Sequence, residues 1–282
     1  MDFSMSAQLK VIDGICLGDK ELNRAAILKY EEFAKTQTQI EIPVIHRIHG
    51  GMYMREITIP KDCVLTGQIY KFNHFDVMIK GDITVSTDGG ERKRLTGYNV
   101  FNGMNGKKRA GYAHEDTTWL TVHPFEGIDG EEIQKRITAE TFEELIEFQI
   151  DASILDFNLM LQHIGVSHKD MISISEFEGD LMEMPKDVDS IIVMPSKIGG
   201  KGVFATKFIG LGTEICPARI DGKRTPAGRY TNHGFQENAE MKLCGGNAFV
   251  IAKADTHAGE EITVNYRDVI NTRNLGGDLC QE

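Results

Sequence analysis

The first helical pattern lies near the start of the chain. Residues 19–36 place Leu22, Ala26, Tyr30 and Phe33 at helical spacing, and they begin with an acidic residue and contain no Gly or Pro. The spacing predicts an amphipathic helix that buries these four side chains.

From residue 42 to residue 125 the pattern changes to short apolar runs separated by turn residues. The runs are MYMREITI, CVLTGQIY, DVMIKGDITVS and TTWLTVH, and the turns contain GG, PKD, DGG and NG. Short strands at regular intervals with Gly-rich turns are typical of a β-sandwich or β-barrel. We therefore predict a β-rich domain over residues 42–128.

Residues 129–163 return to helical spacing. Ile133 and Ile137 lie four positions apart, and Thr141 and Glu144 have the spacing of a capping box, in which each end of a four-residue segment caps the other. Such an apolar stripe must pack against something, so this segment is not a free linker.

Strands resume after Pro185, in the runs SIIVMPS, GKGVFATKF, TEICPARI, NAFVIAKA and EEITVNYR. The predicted fold is therefore mainly β with a helical connector. The predicted segments are an N-terminal helical segment 1–41, a β-barrel 42–128, an acidic connector 129–189 and a second β domain 190–282.

The distribution of charge supports a separate connector at residues 129–189. The 282 residues carry 42 acids and 31 bases, a net charge of -11, which argues against nucleic acid and anionic membranes as partners. Residues 129–189 contain 16 acids and 4 bases, a net -12, while the flanking regions are near neutral. Because the C-terminal domain is nearly neutral, its charge disfavours a polyanionic partner less than the net charge of -11 suggests. No apolar run of about 18 residues and no signal peptide is apparent, so we expect a cytoplasmic protein.

The five cysteines are Cys16, Cys63, Cys216, Cys244 and Cys280. They form no CxxC pair and are odd in number. This pattern favours reduced thiols over a disulfide framework or a cysteine-only zinc site.

Three separated motifs of the second half occur in a recognisable order. They are GGKGVFA at 199–205, RYTNH at 229–233 and GEEITVNY at 259–266. Taken alone, the glycine motif fits an ordinary hairpin turn. Together the three resemble the SET-domain protein lysine methyltransferases, over roughly residues 190–270. The resemblance implies a compact β fold in which the second and third motifs cross and line an S-adenosylmethionine site.

The resemblance also implies roles for individual residues. The glycine motif would contact the amino-acid or sulfonium part of the cofactor chiefly through its backbone, and the Asn-His pair would hold its amine and adenine. A tyrosine hydroxyl would orient the substrate amine, because methyl transfer from a sulfonium needs alignment and water exclusion more than a strong nucleophile. The implied cofactor residues are Gly200, Lys201, Gly202, Arg229, Asn232 and His233, and the implied catalytic residue is Tyr266. Arg229 could instead pair with Glu260 to hold the crossing segments, and Tyr266 could be a half-buried strand tyrosine.

This sequence departs from the SET pattern at several positions. Gly234 and Phe235 follow the Asn-His pair, Glu237 precedes Asn238, and only 14 residues separate Glu214 from Arg229. The domain is therefore minimal, and a post-SET cysteine cluster is absent. A second hypothesis follows, in which a SET-like module serves a non-catalytic virion-associated or assembly protein.

Residues 42–126 resemble a cupin, a double-stranded β-barrel. Alternation along the strand places His74 and Asp76 on one face, and His114 could join them from a later strand. The second histidine and the glutamate of a metal-binding cupin are missing, so we expect no metal there. A metal-dependent oxygenase or isomerase remains the third hypothesis.

Three stretches, KDCVLTGQIYKFNHFDVMIKGDITV, GYAHEDTTWLTVH and TPAGRYTNH, resemble proteins encoded by tailed bacteriophages. This resemblance implies a host-takeover or virion-associated role, in the host cytoplasm or the virion. The expected partner is a host or virion protein with an accessible lysine, and neither a membrane nor a nucleic acid is expected.

Overall fold

The computed structural model describes residues 11–18, 20–87 and 90–275. The chain forms two compact units, Met1–Ile146 (unit 1) and Glu147–Glu282 (unit 2). Strands account for 39% of the residues and helices for 27%. The predicted fold class, mainly β with a helical connector, is confirmed.

The predicted N-terminal helix is present as α1, Lys20–Ala34. The face that it buries differs from the prediction: Asn23 and Ile27 are buried, whereas Leu22 and Phe33 are 56% and 49% exposed. The Asn23 side chain accepts a hydrogen bond from the backbone N–H of Leu17. The Asn23 side-chain oxygen is thus satisfied, whereas its Nδ2 is buried without a hydrogen-bond partner, and the buried stripe is rotated away from Leu22.

Unit 1 contains one antiparallel sheet of seven strands with the order β1-β2-β8-β5-β6, to which β3 adds on β8 and β7 adds on β5. Within the described residues the strand order does not close into a ring. A short pair, β4 and β9, stands apart from it. The strands are β1 (Val44–His49), β2 (Met52–Ile59), β3 (Val64–Thr66), β4 (Ile69–Tyr70), β5 (His74–Ser86), β6 (Arg92–Thr96), β7 (Asn99–Gly103), β8 (Ala110–Pro124) and β9 (Thr138–Ala139).

The helical connector begins with α2, Gly130–Ile137, whose Ile133 and Ile137 pack in a cluster of unit 1. It continues with α3, Phe142–Ile164. The predicted capping box is formed in part, since the Thr141 hydroxyl accepts from the Glu144 N–H at 3.1 Å. The boundary between the two units lies within α3, so the connector predicted for 129–189 is divided between them.

Unit 2 contains two four-stranded sheets, β10-β11-β17-β14 and β13-β12-β16-β15. Its helices after α3 are α4 (His168–Glu176), α5 (Pro226–Tyr230) and α6 (Tyr266–Leu275). Its strands are β10 (Ile191–Pro195), β11 (Lys201–Ala205), β12 (Glu214–Ile220), β13 (Lys223–Arg224), β14 (Asn232–His233), β15 (Ala239–Cys244), β16 (Asn247–Ala252) and β17 (Glu261–Val264).

Small and branched apolar residues of β11, β12, β16 and β17 form the core of unit 2, with Val203, Val250 and Ile262 fully buried. In the part of the chain that the structure describes, no helix combines the length and apolar character that a membrane crossing requires.

The cysteines differ from the expectation in one respect. Cys16, Cys63 and Cys216 are free, but Cys244 is disulfide-bonded, so the prediction of reduced thiols is wrong for that residue. Cys280 lies outside the described residues.

Candidate functional site

The second and third motifs meet through a parallel strand pair. In β14 and β17, Asn232 lies opposite Thr263 and His233 lies opposite Val264. Nothing in the local sequence predicts this pairing, because about thirty residues separate the two segments. It brings the Asn-His pair beside the segment that ends in Tyr266.

Asn232 connects the crossing to the glycine motif. Its side-chain N–H₂ donates to Glu261 Oε1 at 2.7 Å, to the Lys201 carbonyl at 3.1 Å and to the Gly199 carbonyl at 3.4 Å. An amide has two N–H donors, so these contacts use its donor capacity in full. The Asn232 side chain therefore holds the first motif against the second and third.

His233 is buried and both ring nitrogens have partners. Nδ1 accepts from the Tyr266 backbone N–H at 3.1 Å, so the proton must reside on Nε2, which donates to Asp156 Oδ2 at 2.8 Å. Asp156 also receives two bonds from the Arg267 guanidinium, at 2.6 and 2.9 Å. The Arg267 hydrogen bond is the main reason that the pKa of Asp156 is lowered.

Tyr266 is the first residue of α6 rather than part of a strand. Its hydroxyl donates to the Thr231 carbonyl at 2.8 Å, and its ring lies edge-on to Phe157. Burial, with a smaller effect from the Glu261 carboxylate, raises the pKa of Tyr266 to about 12. The hydroxyl is therefore protonated at neutral pH and can orient a ligand but cannot act as a general base.

The glycine motif forms a tight turn before β11, as predicted. Gly200 has φ +51°, and neither Gly199 nor Gly200 has any atom within 4 Å of the position a Cβ would take. At Gly202 a Cβ would lie 2.2 Å from Glu261 Oε1. A Cβ at Gly202 would thus push the Glu261 carboxylate aside, while the turn at 199–200 leaves its backbone open to a ligand.

Two cations lie near this turn. Lys201 Nζ and the Arg229 guanidinium are each 5.2 Å from the centre of the Tyr230 ring. The predicted alternative pair of Arg229 with Glu260 is wrong: Arg229 lies 3.9 Å from Glu178 and the Glu260 carboxylate accepts from the His257 N–H. The Glu260 carboxylate therefore caps its own turn.

The residues present fit one part of S-adenosylmethionine, its amino-acid end. An open left-handed turn and two nearby cations suit a carboxylate, and Glu261 supplies negative charge next to the turn. The side chains of Asn232 and His233 are engaged within the protein and would contribute through their backbone. The cavity described in unit 2, about 330 Å³, is lined by residues of 187–190 and 207–215 and includes none of the motif residues.

Three residues that complete the cluster were missed from the sequence. Asp156 and Arg267 orient His233, and Glu261 is the acceptor for Asn232. Glu261 lies inside the third motif and could have been found there. Asp156 lies on α3, one of many acids in the connector, and nothing in its spacing distinguishes it.

The candidate metal residues of unit 1 are only partly together. His74 Nε2 lies 3.6 Å from Asp76 Oδ1, consistent with a shared face. His114 instead bonds to the Thr84 hydroxyl through Nε2, at 2.8 Å. The described residues contain no group of three or more His, Cys, Asp or Glu that could hold a metal ion.

The comparisons with known proteins give separate matches for the two units. Residues 217–267 match the family model of the SET domain. This SET-matching segment contains Arg229, Asn232, His233 and Tyr266, but not the glycine turn or Asp156. No curated protein sequence matches the chain at a significant level.

Solved structures with cupin folds resemble the N-terminal region. A cupin superfamily protein from Desulfitobacterium hafniense is 9% identical, with 32% of this chain and 83% of that chain covered, at a TM-score of 0.27. Ectoine synthase from P. lautus is 19% identical, with 38% and 81% covered, at 0.29. KdgF from Halomonas sp. is 16% identical, with 32% and 86% covered, at 0.27. Because these scores are low, the architecture of unit 1 rests on its own strand pairing.

Proposed function

We propose that unit 2 is an S-adenosylmethionine-dependent protein lysine methyltransferase of the SET type. The observation that carries the proposal is the convergence of the three motifs: Asn232 bonds to the glycine turn, and His233 bonds to Tyr266. The match of residues 217–267 to the SET domain supports it.

In this proposal the cofactor supplies an electrophilic methyl group on a sulfonium. Gly200, Lys201, Gly202 and Arg229 hold its amino-acid end, and Asn232 and His233 fix the backbone that lines the rest of the site. Tyr266 remains protonated and orients the substrate amine by its hydroxyl dipole and the adjacent Thr231 carbonyl.

The proposed setting is an infected bacterial cell, with a host or virion protein as the methyl acceptor. It rests on the bacteriophage-like stretches of the sequence. The accessible lysine of that partner must enter as the neutral amine, since only the neutral form carries the lone pair that attacks the methyl group.

Calorimetry with S-adenosylmethionine tests the cofactor assignment on the full chain. We expect saturable binding by wild-type protein, and weaker binding by Gly202→Ala, because its Cβ would displace Glu261 from Asn232. Gly210→Ala is the matched control, since its Cβ would meet no atom closer than 3.8 Å. Absence of binding by wild-type protein with a native circular dichroism spectrum would overturn the assignment.

Transfer of a labelled methyl group to bacterial lysate tests the catalytic role. We expect Tyr266→Phe to abolish or strongly slow transfer while the affinity for the cofactor changes little. Tyr98→Phe is the control, because Tyr98 belongs to unit 1 and is 72% exposed. Equal transfer by Tyr266→Phe and wild type would show that Tyr266 is not catalytic.

A second candidate is a non-catalytic SET-like module. It is favoured by the internal hydrogen bonds of Asn232, His233 and Tyr266, which engage these side chains within the protein. This candidate predicts no cofactor binding, together with loss of stability in Asn232→Ala. The calorimetric experiment therefore separates the two.

A further inference from the structure

Unit 1 contains a cavity of about 260 Å³, partly open to solvent, on the inner face of its seven-stranded sheet. This volume is close to the lower end of the roughly 300–1,000 Å³ of small-molecule sites. The cavity contains neither residues of the SET-matching segment nor residues of the proposed function.

The strand register divides the inner face into a polar and an apolar row. Across β2, β8 and β5, Arg55 lies opposite Thr121 and Thr121 lies opposite Asp76. Two positions further along the strands, Trp119 lies between Ile57 and Met78. A ligand that spans both rows must carry a polar group at one end and an apolar body at the other.

Arg55 is a cation without a counter-ion. It lines the cavity, and its Nε is buried without a hydrogen-bond partner. Among the ion pairs of the described residues none includes Arg55, and the group that it hydrogen-bonds, the Tyr70 hydroxyl, is neutral. A half-buried guanidinium with no counter-ion and an unsatisfied Nε–H is costly, whereas an anion in the cavity would satisfy both its charge and that N–H.

Asp76 lies in the same row but forms no ion pair with Arg55. It accepts from Arg109 Nη1 at 3.0 Å and from Trp119 Nε1 at 2.9 Å. Burial raises the pKa of Asp76, but His74 and Arg109 outweigh this effect and hold the pKa below its usual value. Asp76 is therefore a carboxylate that repels additional negative charge, which favours a singly charged ligand over a dianion.

The remainder of the cavity suits a hydrocarbon body. Apart from Trp119 and Ile57, the apolar lining consists chiefly of aliphatic side chains, among them Ile59, Leu65, Ile83 and Val85. Lys107 also lines the cavity and adds positive charge.

We propose that unit 1 binds a small organic monocarboxylate, with its carboxylate on Arg55 and its apolar body against Ile57 and Trp119. A planar carboxylate matches the two parallel N–H groups of a guanidinium. The hydrocarbon surface of the ligand is then buried against the apolar row, which stabilises the complex.

Trp119 is the only tryptophan in the chain and lines the cavity, so its fluorescence reports occupancy directly. Titration of the full chain with hexanoate and with phenylacetate should give a saturable change in that fluorescence. 1-Hexanol, hexylamine and hexyl phosphate are the comparison probes, and each should bind at least tenfold more weakly than hexanoate. Equal binding of hexanol would show that charge plays no part, and tighter binding of hexyl phosphate would overturn the preference for a monocarboxylate.

Variants test the role of Arg55. Arg55→Gln should weaken hexanoate binding at least tenfold, and Arg55→Lys, which keeps the charge, should retain most of it. Arg94→Gln is the matched control, since Arg94 is an exposed arginine on β6 that pairs with Asp82. Unchanged affinity in folded Arg55→Gln, or no fluorescence response of wild type to either carboxylate at millimolar concentration, would refute the proposal. If Arg55→Gln does not fold, the comparison of hexanoate with hexanol on wild type decides it.

Discussion

The two candidate sites differ in how their polar side chains are satisfied. In unit 2, Asn232, His233 and Tyr266 each bond to other protein groups at 2.7 to 3.1 Å. In unit 1, Arg55 Nε and both nitrogens of His123 are buried without partners. In the first cluster each of these side chains has a hydrogen-bond partner within the protein, and we call it a finished network. The second contains buried polar groups that have no hydrogen-bond partner.

This difference shows that sequence motifs and unsatisfied polar groups indicate a binding site independently of each other. The motifs of unit 2 identify segments that must cross, and their conspicuous side chains hold that crossing together. In unit 1 no motif singles out Arg55, yet its lack of a counter-ion is the clearest sign of a ligand. A buried polar group without a partner has an energetic cost, so it calls for an explanation wherever it is found.

The largest effect is expected where α5 approaches β12, just before the crossing. In Gly228→Ala the new Cβ would lie 1.9 Å from the Ala218 carbonyl oxygen, and backbone cannot move aside cheaply. We expect a loss of about 3 kcal/mol or more in the free energy of unfolding of unit 2. Urea denaturation measures it, with Gly210→Ala as the control. A loss as small as that of the control would show that α5 does not fix the crossing.

The ionic part of the crossing can be broken at Asp156. Asp156→Ala removes the acceptor of His233 Nε2 and the partner of Arg267 at once, and we expect a loss of about 2 kcal/mol in unfolding free energy. Asp151→Ala, at an exposed position of the same helix, is the matched control and should change little. Similar values for the two variants would contradict the view that unit 2 is a finished network.

His123 provides a pH-dependent test of the unsatisfied groups in unit 1. Burial lowers the pKa of His123 from 6.5 to about 3. The unfolded chain binds a proton below pH 6.5 that the folded chain binds only near pH 3, so stability falls as pH falls through this window. The slope from this group approaches about 1.4 kcal/mol per pH unit.

His123→Phe should remove that slope and raise stability at pH 5, because a phenyl ring fits among Tyr53, Tyr70 and His74 and has no nitrogen to satisfy. Urea titrations at pH 5 and pH 7 measure the difference from wild type, with the exposed His49→Gln as the control. An unchanged pH dependence in His123→Phe would mean that other groups account for it.

The smallest effects compare two tyrosine hydroxyls. The Tyr266 hydroxyl donates to the Thr231 carbonyl at 2.8 Å, whereas the Tyr70 hydroxyl lies 3.4 Å from Thr121 Oγ1 and 3.5 Å from Gln68 Oε1. We expect Tyr266→Phe to cost about 1 kcal/mol and Tyr70→Phe clearly less. Thermal unfolding followed by circular dichroism measures both. A larger loss of stability in Tyr70→Phe than in Tyr266→Phe would contradict the view that polar groups are better satisfied in unit 2 than in unit 1.

The periodic elements could be predicted from sequence because each depends on neighbouring residues. MYMREITI is β2, and the runs around 191–195, 201–205 and 214–220 are strands as expected. The buried face of α1 could not be predicted, since apolar character alone does not show that the Asn23 side-chain oxygen accepts a hydrogen bond from the Leu17 N–H.

Gly234 illustrates a departure from the family pattern that only the structure explains. A Cβ at this position would lie 2.3 Å from Thr263 Oγ1, so the parallel pair of β14 and β17 requires glycine there. Close packing at the crossing therefore accounts for this unusual residue.

The sequence by itself determined the mainly β fold with its helical connector, and the order of the three motifs, because local periodicity and turn chemistry depend on adjacent residues. Only the tertiary structure decided that Asp156 orients His233, that Arg229 does not pair with Glu260, and that Arg55 faces a cavity without a counter-ion. The physical reason is that hydrogen bonds and charge compensation act through space, between groups that can be up to 111 residues apart, as Asp156 and Arg267 are.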